Sequence, residues 1–162
     1  MKLIILIGCG RGGKTTYAHM LEKTGCEYLD FDLLYRYKGY GQPPAVQEYY
    51  AFLDRLSTTL NNNPAKNYVL DGYLILDKHF SYLKKKLKYH TIDSRLVFAN
   101  YQIILERGVR LKQGSRLTKE RILSIYREYI NSWSFDMFVE GVERNPCVKN
   151  VQEVMRKVEW EK

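Results

Sequence analysis

The sequence predicts an α/β protein of three layers, in which a parallel sheet of about five strands lies between helices. Strand-like and helix-like segments alternate along the chain, which is the pattern of parallel sheets. The first segment, Lys2–Ile7, is a continuous apolar run typical of a strand buried on both faces. A glycine-rich segment, Gly8–Gly13, then joins this strand to a helix-like segment. Together these observations favour a sheet covered by helices on both faces.

Short apolar runs bounded by turn residues predict the strands. The predicted strands are Lys2–Ile7, Glu27–Asp32, Tyr68–Asp71 and Ser94–Ala99. The second strand ends in acidic residues, and Gly72 closes the third. Residues 135–148 have no clear period and are the candidate location of a fifth strand, so its position stays open.

Apolar residues at helical spacing predict the helices. Leu53, Leu56 and Leu60 keep this spacing, and Pro64 follows the asparagine run that ends their helix. Thr118 is expected to cap the N-terminus of a later helix. The predicted helices cover residues 14–24, residues 45–60, a short lysine-rich stretch around residues 80–87, residues 100–111, the stretch after Thr118, and a closing stretch around residues 151–158.

Length and composition limit the class of protein. A chain of 162 residues fits one domain, so residues 1–162 are expected to form a single unit. Hydrophobic residues make up 45% of the chain and charged residues 27%, values that exclude disordered and collagen-like proteins. The 26 Lys and Arg residues against 18 Asp and Glu residues give a net charge of +8. This excess favours anionic partners such as nucleotides or nucleic acid.

The cysteines, the opening apolar run and the histidines give weaker evidence about the class and location of the protein. The cysteines Cys9, Cys26 and Cys147 show neither a disulfide framework nor a zinc-ligand pattern. The opening apolar run is too short to span a membrane and has no cleavage site. We therefore expect a cytoplasmic protein with no membrane partner. The histidines His19, His79 and His90 are isolated in the sequence and are expected at the surface.

The segment Gly8-Cys-Gly-Arg-Gly-Gly-Lys-Thr15 matches the phosphate-binding pattern G-x-x-x-x-G-K-[ST]. Glycines let the backbone N–H groups approach a polyphosphate closely, and the following helix adds the positive end of its dipole. Lys14 would reach the β- and γ-phosphates, and the Thr15 hydroxyl would bind Mg²⁺. The candidate nucleotide-binding residues are Gly8, Gly10, Arg11, Gly12, Gly13, Lys14, Thr15 and Thr16. The sequence therefore predicts a site for ATP and Mg²⁺.

Acidic residues follow two of the predicted strands. Asp32 ends a strand at the carboxyl edge of the sheet, where ligands lie in such folds, and it is our candidate base for an acceptor hydroxyl. A capping role for Asp32 is the alternative. Asp30 points to the same face as Asp32 and would hold Mg²⁺ through water, orient an acceptor or form a salt bridge. Asp71 also ends a predicted strand at this edge. It would either contact Mg²⁺ or the acceptor, or have a structural role.

Several segments resemble those of known kinases. Ile103–Arg110 looks like the helix ending in Glu-Arg and a further Arg of P-loop nucleoside and nucleotide kinases, and Asp71-Gly72 is similar to the Asp-Gly of nucleoside monophosphate kinases. Gly13–Ala18 is similar to the phosphate loop of 5′-hydroxyl polynucleotide kinases, and Asp32 with Tyr35-Arg36 resembles their Asp-x-Tyr-Arg. The chain lacks the base-reading motif of GTPases.

The resemblance implies roles for residues outside the phosphate loop. Residues 107–118 would form a small lid that closes over ATP, with Arg107 and Arg110 stabilising charge on the transferred phosphate. Catalysis would then rest on Lys14, Asp32, Arg107 and Arg110. The acceptor would contact Asp32, Asp71, Tyr35 and Arg36.

The favoured function is an ATP-dependent phosphotransferase acting on a hydroxyl of a nucleic acid or nucleotide. The acceptor would be the 5′-hydroxyl of a polynucleotide or a base hydroxyl in DNA. A nucleoside or nucleoside monophosphate kinase is one alternative, and a non-catalytic binding module switched by ATP is another. Segments 78–95 and 107–121 each carry six Lys or Arg residues against one acid. ATP binding would account for the positive charge of the second segment. In the first segment, Lys84–Lys88 is either a solvated helix face or a contact for a nucleic-acid backbone.

Overall fold

Five parallel strands form the central sheet of the computed structural model, which describes residues 1–9, 11–30, 46–71, 77–110, 117–132, 134–141 and 150–161. In chain order the strands are β1 (Lys2–Ile7), β2 (Glu27–Asp30), β3 (Tyr68–Asp71), β4 (Thr91–Phe98) and β5 (Met137–Glu140). Their order across the sheet is β2-β3-β1-β4-β5, and every pair is parallel. The predicted parallel sheet is therefore confirmed.

Helices connect the strands, as the alternating pattern predicts. They are α1 (Lys14–Lys23), α2 (Val46–Asn61), α3 (Asp77–Lys86), α4 (Tyr101–Arg110), α5 (Lys119–Ser132) and α6 (Val151–Glu159). Thr118 caps α5, because its hydroxyl oxygen accepts the N–H of Arg121 at 3.2 Å. None of the described helices is long and apolar enough to cross a membrane.

Buried residues lie on both faces of the sheet. Leu3, Ile5 and Ile7 of β1 pack into a large core with residues of α2 to α6. Ile4 and Leu6 point the other way and pack against residues of α1. This alternation along one strand explains why β1 is apolar throughout. The three-layer arrangement predicted from the sequence is thus confirmed.

The bounds of β4 differ from the prediction. β4 begins at Thr91, three residues before the predicted start at Ser94. The polar residue Asp93 obscures the start of this strand in the sequence, although its side chain is largely buried beside that of Arg95. β5 lies within the segment 135–148, where the sequence left it open.

Asp93 and Arg95 form an ion pair that ties α1 to the sheet. The Arg95 guanidinium donates to both carboxylate oxygens of Asp93, at 3.2 and 2.9 Å, and to the Tyr17 hydroxyl of α1 at 2.6 Å. Burial alone would raise the pKa of Asp93. Hydrogen bonds and charge from Arg95, with help from Lys2, outweigh burial and hold that pKa below its usual value. Both buried charges are therefore satisfied.

This pair predicts sensitivity to acid. We expect the free energy of unfolding to fall as the pH drops through the folded-state pKa of Asp93, which lies below the ordinary value of 3.8. The pair stabilises the fold fully above the ordinary pKa, and this contribution is lost once the folded-state carboxylate takes up a proton. Urea unfolding between about pH 5 and about pH 2 measures the effect. Asp93→Asn should show a shallower fall than the parent, and an equally steep one would contradict the assignment.

Two histidines correct the expectation of surface positions. His79 and His90 are each only 6% exposed. The His90 Nε2 lies 2.7 Å from the carbonyl oxygen of Lys66, and its ring packs near that of Tyr68. His79 packs its ring edge-on against Tyr50. An imidazole ring combines apolar surface with a hydrogen-bonding nitrogen, so it can be buried where sequence polarity predicts exposure.

Candidate functional site

The candidate site lies at the carboxyl edge of the sheet, where the chain leaves β1 and enters α1. The register pairs Leu6 with Asp71, and Asp71 with Asp30. The acidic ends of β3 and then β2 therefore lie on one side of the loop that follows β1. Lys14 is the first residue of α1, so the N-terminus of that helix opens onto the same edge.

The glycines of the loop allow its backbone to lie very close to neighbouring backbone segments. A Cβ atom on Gly8 would lie 2.2 Å from the carbonyl oxygen of Val97 in β4, so the loop passes directly over that strand. Gly13 has a φ of 98° and is the N-cap of α1. Arg11 also has a positive φ, 67°, which is unusual for a residue other than glycine. The Gly12 N–H donates to the carbonyl oxygen of Cys9 at 3.1 Å and closes the turn.

Gly141, which follows β5, supports the loop from behind. A Cβ atom on Gly141 would lie 2.1 Å from the carbonyl oxygen of Gly12, and one on Gly13 would lie 2.9 Å from the carbonyl oxygen of Gly141. The two backbone segments are thus in direct contact. The sequence analysis missed Gly141, because a single glycine after a segment of unclear period carries no motif.

Tyr126 of α5 lies beneath the same loop and was also missed. Its hydroxyl donates to the carbonyl oxygen of Val97 at 3.2 Å, and a Cβ atom on Gly12 would lie 3.0 Å from its oxygen. Burial raises the pKa of Tyr126 far above its ordinary value, so the hydroxyl stays protonated. Burial also raises the pKa of the Cys9 thiol, despite the opposing charge of Lys14. Both groups are therefore neutral supports of the loop.

The contact with Gly141 leads to a prediction. We expect Gly141→Ala to lower the free energy of unfolding by about 1–3 kcal/mol and to weaken ATP binding, because the methyl group would force the loop to move. Gly25→Ala is the matched control. Gly25 has a φ of 110° and nothing within 4 Å of an added Cβ atom, so only the backbone penalty applies there. Urea unfolding and titration calorimetry with ATP measure both effects. Unchanged ATP affinity in Gly141→Ala would show that the contact does not shape the loop.

Thr15 and Asp71 meet at the edge of the site. The Thr15 hydroxyl donates to Asp71 Oδ2 at 2.8 Å, and the Tyr28 hydroxyl donates to the same oxygen at 3.2 Å. Thr15 is exposed and Asp71 is partly buried, so the pair faces the open side of the loop. A hydroxyl and a carboxylate are the oxygen ligands that Mg²⁺ prefers. These residues therefore fit the ion that the sequence predicts at Thr15.

The described part of the chain contains no group of three or more His, Cys, Asp or Glu residues that could hold a metal by itself. A Mg²⁺ ion in sites of this kind is bound by one or two protein groups together with phosphate oxygens and water. The Thr15–Asp71 pair matches that smaller set of ligands.

Arg107 of α4 contacts the phosphate loop directly. Its Nη1 donates to the carbonyl oxygen of Arg11 at 2.8 Å. The Arg11 guanidinium lies against Gly108, since a Cβ atom on Gly108 would come within 1.9 Å of Arg11 Nη1. The structure thus places Arg107 against the phosphate loop, while its role toward the transferred phosphate stays a prediction. Arg110 is the last residue of α4, and its side chain lies outside the described residues.

Several predicted site residues cannot be placed. Gly10, Asp32, Tyr35 and Arg36 lie outside the described residues. Asp30 is the last residue of β2, and its side chain also lies outside them. Thr16 is exposed on the first turn of α1. The described residues that meet at the site are Gly8, Arg11, Gly12, Gly13, Lys14, Thr15, Asp71 and Arg107.

The five-stranded parallel sheet and its glycine loop correspond to the α/β fold of the P-loop kinases. No protein-family model matches the chain, and no curated protein sequence matches it. The structure is similar to that of a gluconokinase from Sinorhizobium meliloti 1021, with 14% identity and a TM-score of 0.56 over 97% of this chain and 89% of that chain.

Two further solved structures are similar. One is from the PezAT chromosomal toxin-antitoxin system of Streptococcus pneumoniae, with 18% identity and a TM-score of 0.58 over 99% of this chain and 80% of that chain. The other is from the Pnkp1/Rnl/Hen1 RNA repair complex, with 15% identity and a TM-score of 0.56 over 83% of this chain and 46% of that chain. At these identities the shared property is the fold.

Proposed function

We propose that the protein is a P-loop phosphotransferase that moves the γ-phosphate of ATP to a hydroxyl of a nucleic acid or nucleotide. The observation that carries this proposal is the convergence of Thr15, Asp71 and the glycine loop at the start of α1. The kinase fold of the similar structures supports it. Such a reaction needs positioning and charge neutralisation rather than covalent chemistry, and the residues at this edge of the sheet would supply both.

The loop residues would bind the phosphates of ATP. Backbone N–H groups of the loop and the N-terminus of α1 attract anionic oxygens, and Lys14 adds a full positive charge at that point. Arg107, held at the Arg11 carbonyl oxygen, would turn its remaining N–H groups toward charge that gathers on the transferred phosphate. Arg110 lies about one helical turn after Arg107. It would stabilise charge on the same phosphate as part of the proposed lid, residues 107–118.

Thr15 and Asp71 would hold Mg²⁺, with Asp30 as a further candidate. The bound ion neutralises phosphate charge during transfer. The Tyr28 hydroxyl fixes the Asp71 carboxylate toward Thr15 through their shared oxygen. Tyr28 therefore belongs to the site as a positioning residue that the sequence analysis did not single out.

The acceptor hydroxyl would lie near the acidic end of β2. Asp32 would accept its proton while the new bond to phosphorus forms, and Tyr35 and Arg36 would contact the rest of the acceptor. The net charge of +8 supports an anionic acceptor. One structure of similar fold belongs to an RNA repair complex, which also supports a nucleic-acid acceptor.

A nucleoside or nucleoside monophosphate kinase is the second candidate. The position of Asp71 favours it, because Asp71 ends β3 at the carboxyl edge of the sheet and precedes Gly72 as in that group. Such an enzyme would use Asp71 for a small acceptor rather than for the metal.

An acceptor screen tests the proposal. γ-Labelled ATP is incubated with DNA and RNA oligonucleotides, with oligonucleotides that carry base hydroxyls, and with nucleosides and mononucleotides. We expect label in the oligonucleotides. Label in the small molecules alone would favour the second candidate. ATP binding without transfer to any acceptor would point to an ATP-switched binding module.

A further inference from the structure

The lysines around residue 86 lie at the opposite edge of the sheet from the phosphate loop. α3 begins after the carboxyl end of β3 and ends before the amino end of β4, so it returns the chain to the amino edge. Six residues of β1, at about 3.3 Å each, place the two edges roughly 20 Å apart. ATP bound at the loop therefore does not account for these cations.

Hydrogen bonds gather basic residues from three segments onto this edge. Asn61 donates to the carbonyl oxygen of Lys86 at 3.0 Å and accepts the N–H of Lys88 at 2.9 Å. The His90 ring contacts the carbonyl oxygen of Lys66 at 2.7 Å, and Lys2 lies beside Thr91 in the register of β1 and β4. We call this region the amino-edge surface. It consists of Lys2, Lys66, Lys84, Lys85, Lys86, Lys88 and Tyr89.

The amino-edge surface has more cations than the acids near it can neutralise. Lys2 pairs with Asp93 at 3.6 Å, Lys66 with Glu27 at 3.2 Å, and Lys86 with Asp54 at 3.6 Å. The remaining lysines, Lys84, Lys85 and Lys88, are exposed and form no ion pair with the described residues. The surface therefore carries an excess of at least three positive charges from the described residues.

The helix dipole explains only part of this excess. Cations in the last turn of α3 are favoured by the negative end of the helix, which accounts for Lys84–Lys86. Of the three lysines without an ion pair, Lys84 and Lys85 lie in that turn, and Lys88 lies two residues beyond the end of α3. The dipole favours cations here but does not cancel three full charges, so the surface still favours an anionic partner.

Tyr89 adds an exposed aromatic ring directly after Lys88. It is 57% exposed, unlike Tyr68 and Tyr126, which are fully buried. A half-exposed ring next to cations suits the face of a nucleobase whose phosphates contact the neighbouring lysines. Bases are free to stack in this way in a single strand, whereas in a duplex they are not.

We propose that the amino-edge surface binds single-stranded nucleic acid, with Lys84, Lys85 and Lys88 on the phosphates and Tyr89 stacked on a base. This inference goes beyond the proposed function, because binding at this edge requires neither ATP nor transfer. The chain would then have a second site for anionic ligands, at the edge of the sheet opposite the phosphate loop.

Fluorescence anisotropy with a labelled oligonucleotide of about 20 nucleotides, without ATP, tests the proposal. We expect the variant carrying Lys84→Gln, Lys85→Gln and Lys88→Gln to bind at least tenfold more weakly at about 100 mM salt. The slope of log affinity against log salt should become shallower by about 2, since each phosphate contact on a single strand contributes about 0.7. Tyr89→Ala should weaken binding about fivefold or more and leave that slope unchanged.

The matched control removes three cations elsewhere. Arg55→Gln, Arg127→Gln and Arg156→Gln lie on the exposed sides of α2, α5 and α6, so their combination lowers the net charge equally. We expect it to bind the oligonucleotide within about twofold of the parent. Thermal unfolding and ATP binding of both triple variants check that the fold and the phosphate loop are intact.

Three results would overturn the proposal. The first is equal weakening in both triple variants, which would make the effect one of net charge. The second is tighter binding to a duplex of the same sequence, with no effect of Tyr89→Ala. The third is binding of the parent to phosphatidylserine vesicles but not to the oligonucleotide. Because these measurements use no ATP, a failed acceptor screen would leave them unaffected, and the two proposals can fail separately.

Discussion

Asp32→Asn is expected to leave ATP binding intact and to lower the rate of phosphoryl transfer by about 10²–10⁴-fold. An asparagine side chain has nearly the same shape as aspartate but cannot accept a proton from the acceptor hydroxyl at neutral pH. The loss should therefore appear in kcat, measured with the acceptor that the screen identifies. Titration calorimetry with ATP supplies the second measurement.

The control for this variant is Glu22→Gln, which removes a carboxylate from the exposed side of α1, where its partner is His19. Its turnover should equal that of the parent within about twofold. If Asp32→Asn also keeps the turnover of the parent, Asp32 is not the base, and the acids at the ends of β2 and β3 become the candidates. Loss of ATP binding in Asp32→Asn would instead indicate a structural role.

Lys14→Ala is expected to abolish ATP binding and transfer, with a loss of at least about 10²–10³-fold in kcat where turnover can be measured. Lys14 is the first residue of α1 and is partly buried beside the loop, and the other residues of that turn, Thr15, Thr16 and Tyr17, carry no positive charge that could replace it. Removing it takes away the lysine charge at the centre of the loop and leaves the phosphates to the backbone dipoles, Mg²⁺ and the arginines proposed for the lid.

Lys23→Ala, at the far end of the same helix, is the matched control. It removes the same charge from α1 but lies at the amino edge, so ATP affinity should change by less than about twofold. Should Lys14→Ala bind ATP as tightly as Lys23→Ala does, the loop would not be a phosphate site, and the proposed reaction would lose its main support.

Local patterns were enough to predict much of the fold and part of the site. The apolar run of β1 between glycines and the alternating elements follow from residue spacing, which is why the sheet and its layers could be anticipated. Thr15 was a candidate because it completes the phosphate-binding pattern, and Asp71 because it ends a predicted strand. Their direct contact could not be foreseen, since it depends on the pairing of β1 with β3.

The missed residues act through contacts between distant parts of the chain. Gly141 and Tyr126 touch the phosphate loop from β5 and α5, more than a hundred residues away in sequence. Neither belongs to a motif, and a glycine or tyrosine has many ordinary positions. The surface positions expected for His79 and His90 were wrong for the same reason, because their burial depends on which carbonyl groups and rings pack beside them.

The contacts of Arg107 and Tyr126 also have a thermodynamic consequence. These residues belong to α4 and α5, the helices on either side of residues 111–118, and both reach the phosphate loop. A ligand that shifts the loop must change the packing free energy of both helices. If the loop binds ATP as proposed, the coupling is reciprocal: a change in the packing of α4 and α5 against the loop would alter ATP affinity by the same factor by which ATP alters that packing. Affinity for ATP would then be set partly by helices that carry no part of the phosphate-binding motif.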